Sequence, residues 1–131
     1  MFLVPAITEK TLAAIHATAK VVCGTTWHGA CELTLEGKTL NEGSRWTSEP
    51  TQSGTVVTWS TAGKPPFGDE KGSVTYNVAS KIGGTAVLTF DNPVLGTNEC
   101  SDKGNVYVFC KAGSGQSAEF TYTVHGDIRV R

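Results

Sequence analysis

Short runs in which apolar and β-branched residues alternate with polar ones recur along this sequence, and they are the feature that most constrains its fold. Turn residues separate the runs, as at Ser53-Gly54, Pro65-Pro66 and Gly83-Gly84. Closely spaced runs of this kind are typical of β-sandwiches and β-barrels. We therefore predict an all-β fold, an antiparallel β-sandwich of about seven or eight strands. The runs cover residues 20–23, 31–35, 55–60, 72–78, 85–90, 105–110, 118–125 and 127–130.

The N-terminal stretch departs from this pattern. Ile7, Leu12, Ile15 and Ala19 recur at helical spacing, and Thr8 is a suitable N-cap residue. This spacing predicts one short N-terminal helix over residues 7–19. Such a helix could pack across one sheet, or it could leave the body of the domain and lie in a lipid interface.

Size and charge narrow the classes of partner. A chain of 131 residues fits one domain, which we place at residues 1–131. The formal net charge of −1 and the 18% of charged residues provide no field to recruit a phosphate backbone, so we expect no nucleic-acid partner. No signal peptide or transmembrane segment is visible, because Glu9 and Lys10 interrupt the apolar start. We expect a secreted protein or one exported without a leader.

The four cysteines form two pairs along the sequence, and each pair flanks a predicted turn. Separations of 8 and 10 residues do not match the close spacing of zinc sites, so no metal is expected. Two disulfides with sequential pairing are the preferred interpretation, and four reduced thiols in a reducing compartment are the alternative. The preferred pairs are Cys23 with Cys31 and Cys100 with Cys110.

Nothing in the sequence has the spacing of a catalytic or cofactor site. His16, His28 and His125 lie in a predicted helix, turn and strand without a neighbouring nucleophile. Gly113-Ser114-Gly115 lies between two strands, whereas a nucleophile elbow joins a strand to a helix. The acidic loop residues Asp69, Glu70, Asp91, Glu99 and Asp102 match no calcium-loop pattern. We therefore predict a binding protein without catalytic residues or a cofactor.

Aromatic side chains are the best candidates for binding. Trp27, Trp46 and Phe67 fall in or beside predicted loops, where burial is less expected than on strands. An exposed tryptophan offers a flat apolar face and one N–H donor, which suits a sugar ring or the headgroup region of a bilayer. The alternative is that these rings close the ends of the sandwich.

Part of the sequence resembles small β-sandwich cytolysins. The segments GSVTYNV (72–78) and GGTAVLTFDNPVLGTNECSDKGNVYVF (83–109), preceded by EPTQSGTVVTW (49–59), are similar in the order of their features to the actinoporins of sea anemones, and the fungal aegerolysins have a related pattern. The resemblance covers about half of the chain. It implies a lipid-headgroup pocket at Phe90, Pro93 and Tyr107, and a mobile helix at residues 7–19.

Two functional hypotheses follow. The first is a lipid- or membrane-directed, cytolysin-like defence protein, and the second is a lectin-like or immunomodulatory protein that binds glycans or cell-surface receptors. Both use the same side chains, and a homodimer is compatible with either because sandwiches offer sheet edges and flat faces. The candidate ligand-binding residues are Trp27, Trp46, Phe67, Phe90, Pro93 and Tyr107.

Overall fold

Two five-stranded sheets pack face to face in the computed structural model of this chain. The structure describes residues 16–24, 29–63, 69–80, 83–94, 96–115 and 117–128, with side chains described to residue 125. The strands in these ranges are β1 (His16–Cys23), β2 (Glu32–Leu40), β3 (Ser44–Ser48), β4 (Ser53–Gly54), β5 (Val56–Gly63), β6 (Glu70–Ala79), β7 (Thr85–Asn92), β8 (Glu99–Asp102), β9 (Val106–Ala112) and β10 (Ser117–Ile128).

The strand order of the sheets is not sequential. In the first sheet it is β3-β5-β1-β10-β9, and in the second sheet it is β4-β2-β6-β7-β8. All neighbouring strands run antiparallel except β1 and β10, which pair in parallel from His16 opposite Ser117 to Cys23 opposite Val124. The all-β class is correct, but the expectation of a purely antiparallel sandwich is wrong because of this central pair.

The predicted helix and strand number are also wrong. The described ranges contain ten strands and no helix, and residues 16–19 of the predicted helix belong to β1. In β1 the side chains of Ala17, Ala19 and Val21 are buried, whereas those of His16, Thr18 and Lys20 are exposed. This period of two places the small alanines against the opposite sheet, where packing outweighs their helix propensity. Residues 7–15 of the predicted helix lie outside the described residues.

Aromatic rings fill the space between the sheets. Phe90 of β7 is 1% exposed, and its ring centroid lies 5.8 Å from that of Trp59 and 5.9 Å from that of Phe120. Tyr122 of β10 lies 5.8 Å from Trp59 and donates a 2.6 Å hydrogen bond to the Thr89 carbonyl on the other sheet. Burial raises the pKa of the Tyr122 phenol, so the hydroxyl remains a donor. The core therefore combines ring packing with a hydrogen bond between the sheets.

Both predicted disulfides are present, and each joins the two sheets. Cys23 ends β1 and is bonded to Cys31, which directly precedes β2, with 5.7 Å between their Cα atoms. Cys100 of β8 is bonded to Cys110 of β9, with a Cα–Cα distance of 6.2 Å. The second bond connects one edge strand of each sheet, so it closes one side of the sandwich.

A tight turn leads from β8 into the edge strand β9. The Asp102 carboxylate accepts hydrogen bonds from the Gly104 and Val87 amides, and the Asn105 side chain accepts one from the Thr85 amide. A Cβ atom at Gly104 would lie 2.0 Å from the Thr85 carbonyl oxygen, so only glycine fits at this position. These contacts attach the turn to β7 and fix the point at which β9 begins.

Candidate functional site

The outer face of the first sheet carries exposed apolar side chains at one end. We call Tyr107, Phe109, Val22 and Val56 the aromatic patch. Phe109 is 68% exposed, Val56 48% and Tyr107 45%, and Val22 is half-buried. An exposed apolar group of this kind on a soluble domain is a common mark of a binding surface.

Strand register assembles the patch from three strands. Phe109 of β9 lies opposite Thr123 of β10, Thr123 lies beside Val22 of β1, and Val22 lies opposite Val56 of β5. Tyr107 lies two residues before Phe109 on β9 and therefore on the same face. Side chains on the other face of β9 pack against the core, so Tyr107 and Phe109 point to solvent.

A row of lysines lies next to the aromatic patch. Lys111 of β9 is opposite Thr121, which pairs with Lys20 of β1. Both lysine side chains are exposed. Each lies two residues along its strand from a patch residue, Lys111 from Phe109 and Lys20 from Val22, a distance of about 7 Å. The face therefore presents apolar groups with cationic groups directly behind them.

The pocket implied by the resemblance to cytolysins is not assembled. The Phe90 ring lies in the core, so its assignment to a surface site is corrected. Pro93 follows β7 and lies by Gly113 at the far end of β9 from Tyr107. Six residues of extended chain separate Tyr107 from Gly113, which corresponds to about 20 Å. Of these three residues, only Tyr107 belongs to the aromatic patch.

The three loop aromatics are not brought together in the described residues. Trp46 lies on β3, at the opposite edge of the first sheet from β9. Its ring is half-buried, contacts Phe90 edge-on at 6.4 Å and has the Lys38 ammonium 5.7 Å from its centroid. Lys38 is also ion-paired with Glu49. Trp46 therefore covers the sandwich edge, whereas Trp27 and Phe67 lie outside the described residues.

Sequence reasoning missed Phe109, Val22 and Val56. The segment Val106-Tyr107-Val108-Phe109-Cys110 is apolar on both faces of the strand, so alternation alone does not show which face is buried. Lys111, which directly follows this segment, could have indicated the exposed face, because it lies on the same face of the strand as Tyr107 and Phe109. A lysine in phase with two aromatic residues on an edge strand indicates that their face is exposed.

A shallow groove of about 870 Å³ crosses the outer face of the second sheet. Its floor carries a row of hydroxyl groups in which Thr39 contacts Ser73 at 2.9 Å and Thr89 contacts Ser101 at 2.5 Å. The aromatic residue among the lining residues is the buried Phe90. Sugar rings commonly stack on an exposed aromatic ring, and the described lining of this groove offers none. The glycan hypothesis stays a prediction.

His16 and Ser117 form a polar pair that the sequence did not reveal. The Ser117 hydroxyl lies 2.7 Å from His16 Nε2, across the parallel strands β1 and β10. Both side chains are exposed on the open face of the sheet, whereas catalytic pairs normally work in a site that excludes water. In the described ranges no three histidine, cysteine or acidic side chains come together to hold a metal ion.

A buried carboxyl group bridges the two sheets. Glu70 of β6 is fully buried and accepts a 2.6 Å hydrogen bond from the Thr61 hydroxyl of β5 and a 2.8 Å bond from the Asn92 amide of β7. The Asn92 amide also donates to the His16 carbonyl of β1. Loss of hydration raises the pKa of Glu70, although its hydrogen bonds act in the opposite direction. This network is a structural link between the sheets, so the prediction of Glu70 as a loop residue is wrong.

We expect the Glu70→Gln variant to gain stability relative to the wild type as the pH rises. The folded protein holds a proton on Glu70 at pH values where the unfolded chain has lost it, so this carboxyl makes the wild type less stable as the pH rises above about 4.5. Glutamine has no proton to lose there, and its carbonyl oxygen can accept from the Asn92 amide while its NH2 group donates to the Thr61 hydroxyl oxygen. Urea unfolding of both proteins from pH 4.5 to neutrality measures the difference, with the exposed Glu99→Gln variant as control. A difference that is constant with pH would contradict the prediction.

Comparisons with known proteins identify the fold. No protein-family model and no curated protein sequence matches this chain. Among solved structures, the lipid binding protein Nakanori matches with a TM-score of 0.68 and 7% identity, over 92% of this chain and 76% of Nakanori. The protein IP-1A from Alcaligenes faecalis matches with a TM-score of 0.55 and 16% identity, over 89% of this chain and 95% of IP-1A. At these identities the likeness establishes a shared β-sandwich architecture.

No helix that is long and apolar enough to cross a membrane occurs in the part of the chain that the structure describes.

Proposed function

We propose that this protein binds lipid surfaces through the aromatic patch and acts without catalysis. The observation that carries the proposal is the exposure of Tyr107 and Phe109 on an edge strand, in one surface with Val22 and Val56. Rings that served only to fill the core would be buried, and an ordinary solvent-facing surface rarely carries two neighbouring aromatic rings. Tyrosine and phenylalanine are suited to the boundary between headgroups and acyl chains.

The structural comparison supports this class of function. Nakanori, which shares the sandwich over most of both chains, is a lipid binding protein. The edge position of β9 also fits, because side chains at the side of a rigid sandwich can enter a bilayer surface without a change in the sheets. The resemblance of the sequence to cytolysins points to the same class of ligand.

Replacing both aromatic residues is expected to weaken lipid binding. Each ring that enters the interface contributes about 1 kcal/mol or more through burial of apolar area, so the Tyr107→Ser/Phe109→Ser variant should bind about thirtyfold more weakly. Flotation with vesicles of phosphatidylcholine, alone and mixed with phosphatidylserine, measures this. Asn77→Ser, at an exposed position on the second sheet, is the control and should bind like the wild type.

Flotation with the same vesicles can also refute the proposal. If the wild type floats with none of them, or if the double variant binds as tightly as the wild type, the patch is not a lipid-binding surface. Unfolding curves should be nearly unchanged in the double variant, because both rings are already exposed. A cytolysin-like action remains part of the proposal, and release of an encapsulated dye from the vesicles would distinguish membrane damage from binding alone.

A further inference from the structure

We infer that the aromatic patch recognises membranes with anionic headgroups, and that Lys20 and Lys111 supply this selectivity. The inference rests on the proposed function and adds the lipid class. The two lysines lie in the row of the sheet next to the patch, one on each side of Thr121. Two strand spacings separate them, about 10 Å, so each ammonium group can contact a different headgroup.

The aromatic and lysine side chains project from the same face of the sheet, so one face can bring both to a bilayer. Apolar groups of peripheral proteins enter about 5–10 Å into the boundary between headgroups and acyl chains. The lysine row lies about 7 Å from the patch along the strands. When Phe109 and Tyr107 enter this boundary, the ammonium groups therefore lie beside them. Flexible lysine stems let these groups stay at the level of the phosphates.

Charge differs between the two outer faces of the sandwich. On the first sheet, the described exposed side chains with permanent charge are Lys20, Arg45 and Lys111 against Glu119. On the second sheet and its turns, the exposed Lys38, Lys71 and Lys103 are accompanied by the exposed Glu32, Glu36 and Glu99 and by the half-buried Asp91. A protein with net charge near zero can thus still turn one basic face toward an anionic surface. That face is the one with the aromatic patch.

Paired charge variants test the inference. A lysine near an anionic membrane contributes about fivefold in affinity, so the Lys20→Gln/Lys111→Gln variant should bind vesicles containing phosphatidylserine about thirtyfold more weakly. Its affinity for pure phosphatidylcholine should not change. The control is Lys71→Gln/Lys103→Gln, which loses the same charge from the other face and should keep nearly full binding. Added salt should weaken wild-type binding to the anionic vesicles.

The possible results separate the inference from the proposed function. Equal affinity of the wild type for neutral and anionic vesicles would overturn the inference and leave lipid binding intact. Equal losses in the two lysine pairs would also overturn it, because net charge and not the position of Lys20 and Lys111 would then determine affinity. Absence of binding to every vesicle would instead refute the proposed function. Selective loss in the Lys20→Gln/Lys111→Gln variant supports both.

Discussion

Replacement of Phe90 with alanine is expected to lower the free energy of unfolding by about 3–5 kcal/mol. The ring is 1% exposed and contacts the rings of Trp59, Phe120 and Trp46, which come from three strands of the opposite sheet. Removing it leaves a cavity between the sheets that the rigid strands cannot close. The loss should be seen in the midpoint of urea unfolding, with little change in the slope.

Phe109→Ala is the matched control for this prediction. It removes the same side chain from a position that is 68% exposed, so the expected change is within about 0.5 kcal/mol. The pair also separates the two roles of phenylalanine in this chain, since Phe90 stabilises the core and Phe109 belongs to the aromatic patch. Similar losses at both positions would show that Phe109 is buried in solution, and this would argue against the patch.

Removal of either disulfide is expected to cost about 2–4 kcal/mol, and removal of both nearly the sum. Cys23→Ala/Cys31→Ala and Cys100→Ala/Cys110→Ala each break one covalent link between the sheets. The bonds lie at different places in the sandwich, so their effects should be close to additive. Alanine is preferred to serine because Cys23 and Cys31 are buried.

Urea unfolding with and without a reducing agent tests the predicted contribution of the disulfides to stability. The wild type should lose stability on reduction, whereas the variant without all four cysteines should not respond. If reduction leaves the wild type unchanged and neither double variant is destabilised, the cysteines do not form these bonds in solution. A larger loss for one pair would identify the link on which the docking of the sheets depends more.

The strands that could be predicted from the sequence are those with strong alternation. Residues 72–78 and 85–90 fall within β6 and β7, where valine, threonine and aromatic residues alternate between core and solvent. The missed strands β3, β4 and β8 are short and polar, and all three lie at sheet edges. An edge strand needs only one partner and a few buried side chains, so its sequence carries little period-two signal.

The candidate site was predictable only in part. Tyr107 was identified, but through a resemblance that grouped it with Phe90 and Pro93, and the structure separates these three residues. Phe109 was missed because both faces of its strand are apolar from Val106 to Cys110. The phase of Lys111 indicates the exposed face, and the packing of Val106 and Cys110 against the core establishes it. Val22 and Val56 join the patch through a strand register that no local pattern encodes.

The parallel pairing of β1 with β10 makes the order of folding depend on synthesis. His16 and Ser117 are neighbours in space and 101 residues apart in sequence. Until the ribosome has produced β10, β1 lacks one of its two partners, and β9 has no neighbour within its own sheet. The surface formed jointly by β9, β10, β1 and β5 is therefore assembled only after β10 has been synthesised.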